Sequence, residues 1–119
     1  MRYMLLIYEN ESNWAKMSQE DAGKIMGEYM AFTEDIRRSG QYIAGAPLQP
    51  TPTATTVRVT NGKTMTTDGP FAETREQLGG YYLVEAKDLN EAIAIGARIP
   101  AARTGSIEIR PVAEIPAQA

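Results

Sequence analysis

Thr67-Asp68-Gly69-Pro70-Phe71-Ala72-Glu73-Thr74-Arg75-Glu76-Gln77-Leu78-Gly79-Gly80-Tyr81-Tyr82 is the densest run of special-purpose residues in the chain. It opens on a turn in which Gly69 supplies backbone freedom and Pro70 fixes φ. It closes on Gly79 and Gly80, which permit a bulge or a close backbone approach. Upstream, Thr55 to Thr60 alternates with Val57 and Val59 on one face, and Asn61-Gly62 is a strong two-residue hairpin signal that returns the chain through Lys63 to Thr67. This hairpin is rich in Thr and poor in large apolar residues, so it is expected to be exposed on one side or to cover a partner subunit. Downstream, Gly80 to Ala86 reads as a strand with Tyr82 and Val84 on one face and Tyr81, Leu83 and Glu85 on the other.

Arg2 to Tyr8 is a nearly continuous apolar run, expected as a central strand buried on both faces. Glu9 to Met17 reads as a polar loop, with Trp14 as a packing lid over the core edge or, less often in such a setting, a ligand-stacking ring. Ser18 caps a helix with acids in its first turn, Arg37 and Arg38 in its last, and Gly40 as its stop. Its stripe of Ala22, Ile25, Met26, Tyr29, Phe32, Thr33 and Ile36 is expected as core. Gln41 to Gly45 is a short strand, and Pro47, Pro50 and Pro52 punctuate a loop. Asp88 and Glu91 frame a second capping box, followed by a stripe of Leu89, Ala92, Ile93, Gly96 and Ala97 that Pro100 ends. Ala101 to Gly105 is a loop carrying Arg103. Ser106 to Val112 alternates with Ile107 and Ile109 inward.

The order is strand, helix, strand, hairpin, strand, helix, strand. This predicts an α+β, ferredoxin-like βαββαβ sheet with two helices on one face and an inserted β-hairpin. One domain is expected over residues 1–113, with a C-terminal tail over 114–119. Two helices on one face leave the other face needing cover, and a second copy of the chain is the expected cover.

The chain has 119 residues, no cysteine and no histidine. That excludes His-dependent nucleophilic triads, thiolate chemistry and zinc sites built on Cys and His. No metal or cofactor is expected. Scattered Lys and Arg with a net charge of -3 argue against a nucleic-acid partner. The apolar start is too short for a signal peptide and no window suits a membrane span, so a cytoplasmic setting is expected.

The candidate site residues are Asp68, Glu73, Arg75, Glu76, Tyr82 and Arg103. Asp68 either caps its own turn or holds a carboxylate into a pocket as a base. Were the loop locally helical, Glu73 and Glu76 would share a face, with Arg75 placed to recognise an anion. Phe71 is expected to anchor the loop, and Tyr82 to pack or to offer its phenol to a substrate oxygen. Arg103 would bind a carboxylate or a nearby backbone.

The chain resembles the YCII-related proteins, in the subgroup marked by a DGPF motif. The matching residues are Tyr3-Met4-Leu5-Leu6-Ile7-Tyr8, Asp68-Gly69-Pro70-Phe71-Ala72-Glu73-Thr74, Glu76-Gln77-Leu78-Gly79-Gly80-Tyr81-Tyr82, Pro100-Ala101-Ala102-Arg103 and Ile107-Glu108-Ile109-Arg110-Pro111. The resemblance implies a ferredoxin-like fold that dimerises as an α/β barrel. Some relatives carry a His-Asp pair proposed as an active site, and one branch is linked to dehydrochlorination of chlorinated aromatics. The histidine of that pair is absent here. Members of the DGPF subgroup often lie beside, or are fused to, extracytoplasmic-function sigma factors. Two functions therefore stand: small-molecule binding, with or without catalysis, in a cleft of a homodimer, or a non-catalytic regulatory or interaction module linked to sigma-factor or stress signalling.

Overall fold

The computed structural model describes residues 1–116. Its main sheet joins β1 (Arg2–Glu9), β2 (Tyr42–Pro47), β5 (Gln77–Glu85) and β6 (Ser106–Pro111) in the order β2-β5-β1-β6, every pair antiparallel. A separate hairpin pairs β3 (Thr55–Thr60) with β4 (Lys63–Asp68). With the hairpin set aside, the order is that of the ferredoxin-like split βαβ. Strand β1 is central, as the sequence suggests, but only one of its faces is buried, Met4, Leu6 and Tyr8 on the other being half-buried.

One face of the sheet carries the helices. Tyr3, Leu5 and Ile7 of β1 and Tyr82 and Val84 of β5 are buried there, against Phe32 and Ile36 of α2 (Gln19–Arg38) and Ala92 and Ile95 of α3 (Leu89–Ala97). Helix α2 starts where expected, Ser18 Oγ accepting from the Asp21 N–H at 3.1 Å. It ends in a Schellman motif, with Gly40 at φ +76°, its N–H on the Arg37 carbonyl and the Gln41 N–H on the Ile36 carbonyl. Asp88 caps α3, accepting from the Glu91 N–H at 2.9 Å. Glu91 reaches back to the Lys87 N–H rather than to the cap residue itself.

The opposite face bears the facing pairs Met4–Leu83, Leu6–Tyr81 and Tyr8–Leu78, all half-buried and covered by no helix. Burial, with Glu108 beside it, raises the pKa of Tyr8 on this face. The hairpin adds to the open character. All of β4 and all of β3 except Thr56 are exposed, with Val59 at 68%. The radius of gyration of 16.6 Å exceeds the roughly 13 Å of a compact domain this size.

Several expectations need correction. Residues 9–17 are not all loop: Asn10 Oδ1 accepts from the Ser12 N–H and hydroxyl and starts a one-turn helix, α1 (Ser12–Ala15). Trp14 in that turn stands outside the core cluster rather than closing it. Strand β2 runs on to Pro47, which an edge strand tolerates because the missing N–H faces away from the ladder. Strand β5 starts earlier, at Gln77, and the two glycines form a bulge in which register shifts between Ile7 and Tyr8. The stripe of α3 is rotated: Ala92, Ile95, Gly96 and Ile99 go inward, while Leu89 and Ile93 are about half exposed. Residues 100–103 form a 3-10 turn, not open loop. Residues 114–116 have no regular structure, and the rest of the expected tail, 117–119, lies outside the described residues.

Candidate functional site

A cavity of about 710 Å³ opens between α2 and the β2–β5 side of the sheet. Its origin is a deficit of side chain. On the helix-facing side, β2 and β5 present Gly45, Pro47 and Gly80 to the space under the helix. A Cβ on Gly45 would lie 2.9 Å from Tyr82 Cδ1, and one on Gly80 would lie 3.0 Å from the Ala46 carbonyl oxygen, so both strands are drawn close where they are bare. Across the gap, α2 offers Met26, Tyr29, Met30, Thr33 and Arg37, and α1 adds Trp14. Part of the stripe expected as core is therefore cavity wall: Met26 is 54% exposed, beside Met30, which lies outside that stripe and is 67% exposed.

The polar groups of the cavity form a short chain. Thr33 Oγ1 donates its single hydrogen to the Tyr29 carbonyl at 2.9 Å. At the 2.7 Å contact with Tyr82 Oη, the phenol must then be the donor. The Tyr82 ring is fixed edge-on by Phe32 and Tyr42, at centroid distances of 5.1 and 6.4 Å. Burial raises the pKa of Tyr82 and pushes that of Tyr29 up to about 12, so both are protonated at neutral pH and act as donors, not bases.

Arg37 stacks over the Tyr42 ring at 4.6 Å at one end of the cavity. The acids on its wall are engaged. Glu11 accepts from the Thr51 N–H and hydroxyl at 2.7 and 2.8 Å, Glu9 from the Thr104 hydroxyl at 3.0 Å, and Glu34 pairs with Arg38 at 3.3 Å. Among the described residues no cluster of three or more His, Cys, Asp or Glu suits a metal, and no helix is long and apolar enough to cross a membrane.

Of the six candidate site residues Tyr82 alone lines this cavity, and Trp14, read in the sequence as a packing lid or a ligand-stacking ring, lines it too. Asp68 ends β4, exposed, opposite Thr55. Asp68 does not cap its own turn among the described residues, because the residue two on is Pro70, which has no N–H; the Gly69 N–H, at φ +102°, donates to the Ala54 carbonyl at 2.7 Å. Glu73 and Arg75 are exposed, and the loop that carries them is bent rather than helical. Thr74 and Gln77 explain the bend, Thr74 Oγ1 donating to the Glu76 carbonyl and Gln77 Nε2 to the Thr74 carbonyl. Glu76 accepts from Ser106 Oγ at 2.8 Å, which ties the loop to β6. Phe71 does not anchor the loop; it is 80% exposed. Arg103 pairs with Glu28 and fastens the 3-10 turn to α2. The cavity had two faint marks in the sequence: a threonine inside the apolar stripe of α2, and a glycine in each of two paired strands.

A four-stranded antiparallel sheet with helices on one face, an open second face and a cavity beneath the longer helix defines a small ferredoxin-like α+β protein. The family model for the YCII-related domain matches residues 1–116. An uncharacterized protein of Rhizobium meliloti (strain 1021) is 38% identical over 115 residues, covering 95% of this chain and 93% of that protein. The chain belongs to the YCII-related family.

Proposed function

We propose that this protein, a single-domain member of the DGPF-marked subgroup, binds a small molecule as a cytoplasmic homodimer. The observation that carries the binding is the cavity beneath α2. Its volume falls in the range of ligand sites, its walls are mostly apolar and aromatic, and a few polar groups converge in it. The site lies within one protomer rather than in the cleft between two. Its titratable groups of displaced pKa are proton donors at neutral pH, which favours binding over base catalysis. The dimer reading rests on the apolar open face, on the extended shape and on the family resemblance. Asp68, Glu73 and Arg75 would meet a ligand only if a second copy closed over the hairpin arm.

The test is a thermal-shift screen of metabolites on wild type, Met30→Trp and Asp68→Asn. A ligand that stabilises wild type and Asp68→Asn but not Met30→Trp supports the cavity, because the indole fills the trough from an exposed position. Loss of the shift in Asp68→Asn alone would move the site to the loop. A stable monomer in equilibrium sedimentation at micromolar concentration would remove the dimer.

One observation favours a second reading. The arm exposes Val57, Val59, Met65 and Phe71 with no cover, as a regulatory or interaction module contacting another protein would. If Val59→Thr with Phe71→Ser weakens self-association, the arm serves the dimer. If dimer and ligand binding both survive the change, the arm is free for another partner.

A further inference from the structure

We infer that the ligand of this cavity is an organic anion, a flat apolar body carrying one carboxylate, seated with its charge at Arg37. The inference rests on the cavity reading above and adds the charge and orientation of the occupant. The cavity runs along α2 from Met26 to Arg37, a span of about 16 Å at the helical rise. Its two ends differ in charge. Glu9 and Glu11 stand at the end where β1 finishes, and Arg37 stands at the end where β2 begins.

The difference between the ends lies in what each charge already does. Glu11 is satisfied by two donors from Thr51, and Glu9 by the Thr104 hydroxyl. Arg37 has no carboxylate within ion-pair distance among the described residues. Its neighbour Arg38 takes Glu34 instead. The Arg37 guanidinium is nevertheless held in place, stacked on Tyr42, and its charge reaches the Tyr82 phenol in the cavity wall. A stacked guanidinium keeps its edge N–H donors free, and those donors match a carboxylate. Among the described residues the Arg37 cation therefore has no anionic partner, and its position at the mouth of an aromatic trough selects a ligand with an apolar body.

The experiment compares naphthoate, naphthamide and naphthylmethylamine by calorimetry on wild type, Arg37→Gln and Met30→Trp. The three probes share a body and differ in charge. Naphthoate is expected to bind roughly tenfold to hundredfold more tightly than the amide, the worth of a charge-assisted hydrogen bond. Arg37→Gln is expected to erase that preference while amide binding persists. Equal binding of acid and amide, or tightest binding of the amine, overturns the anion assignment and leaves the cavity reading standing. Binding that Met30→Trp does not diminish, or no binding by any of the three, overturns the cavity reading and the anion assignment with it. Melting curves of Arg37→Gln separate these outcomes from misfolding, since Arg37 is exposed.

Discussion

The Thr33–Tyr82 hydroxyl pair is the point where core and cavity meet, and its removal has an asymmetric cost. In Tyr82→Phe, Thr33 Oγ1 loses a donor but keeps its own bond to the Tyr29 carbonyl, so the loss is that of an ordinary hydrogen bond, about 0.5–1.5 kcal/mol. In Thr33→Val, the phenol loses its acceptor while the ring stays 9% exposed. An unpartnered buried hydroxyl costs about 1–3 kcal/mol, and the adjoining cavity, open to water, brings this to the lower half of that range. The double variant has no orphan, so it should cost no more than Tyr82→Phe alone, a coupling of about 1–2 kcal/mol. With an unfolding entropy of roughly 2.1 cal/mol/K per residue, each kcal/mol corresponds to about 4 °C of Tm for this chain. Thermal denaturation followed by circular dichroism on the four proteins measures the cycle. Additivity within about 0.5 kcal/mol would show that the two hydroxyls are not bonded to each other and would remove the donor assignment.

Three further outcomes follow from the same geometry. Gly105→Ala places its Cβ 2.1 Å from the Tyr8 carbonyl oxygen, backbone against backbone, so Tm should fall by at least about 8 °C, for an overpacking cost near 2 kcal/mol or more; a fall under half of that would mean the strand ends separate easily. Gly96→Ala in α3 meets Ile107 Cγ2 and Ile109 Cδ1 at 3.5 Å, an ordinary contact, so the gain in helix propensity should raise Tm by up to about 4 °C; a clear drop would show that α3 packs more tightly on β6. Tyr29 has its pKa pushed up from 10.0 to about 12, so the unfolded chain releases that proton first. Stability is retained below pH 10.0 and declines as pH rises toward 12. Tyr29→Phe should shallow that decline in urea melts taken across the window, and an unchanged slope would assign the loss to other groups.

Much of the fold was legible because local signals agreed with the tertiary outcome. Ser18, Gly40, Asn61-Gly62 and Asp88 each sit where a cap or turn requires them, and Asn61 and Gly62 both adopt positive φ. The alternation of Tyr81 and Tyr82 assigned one ring to each face of the sheet, and pairing with Leu6 and Leu5 places them so. Where reading failed, the missing information was relational. Leu89 and Ile93 fit a helical stripe as well as Ile95 and Ile99 do, and only docking on β6 selects between them. Asn10 turns a polar segment into a helical turn through its own side chain, a local bond that composition does not reveal.

The candidate site divides along the same line. The sequence by itself carried the family resemblance, the order of the main elements along the chain, the lack of histidine and cysteine chemistry, and Tyr82 as a residue worth watching. It directed attention to the Asp68–Glu76 loop because that is where unusual residues are dense. Tertiary structure decided that the cavity lies elsewhere, under α2, where Gly45 and Gly80 withhold side chains and Met26 and Thr33 line a gap instead of filling a core. The physical reason is that a cavity is made by the absence of atoms between elements distant in the chain. A helix stripe reads the same in sequence whether its partner strand presents a side chain or a bare backbone.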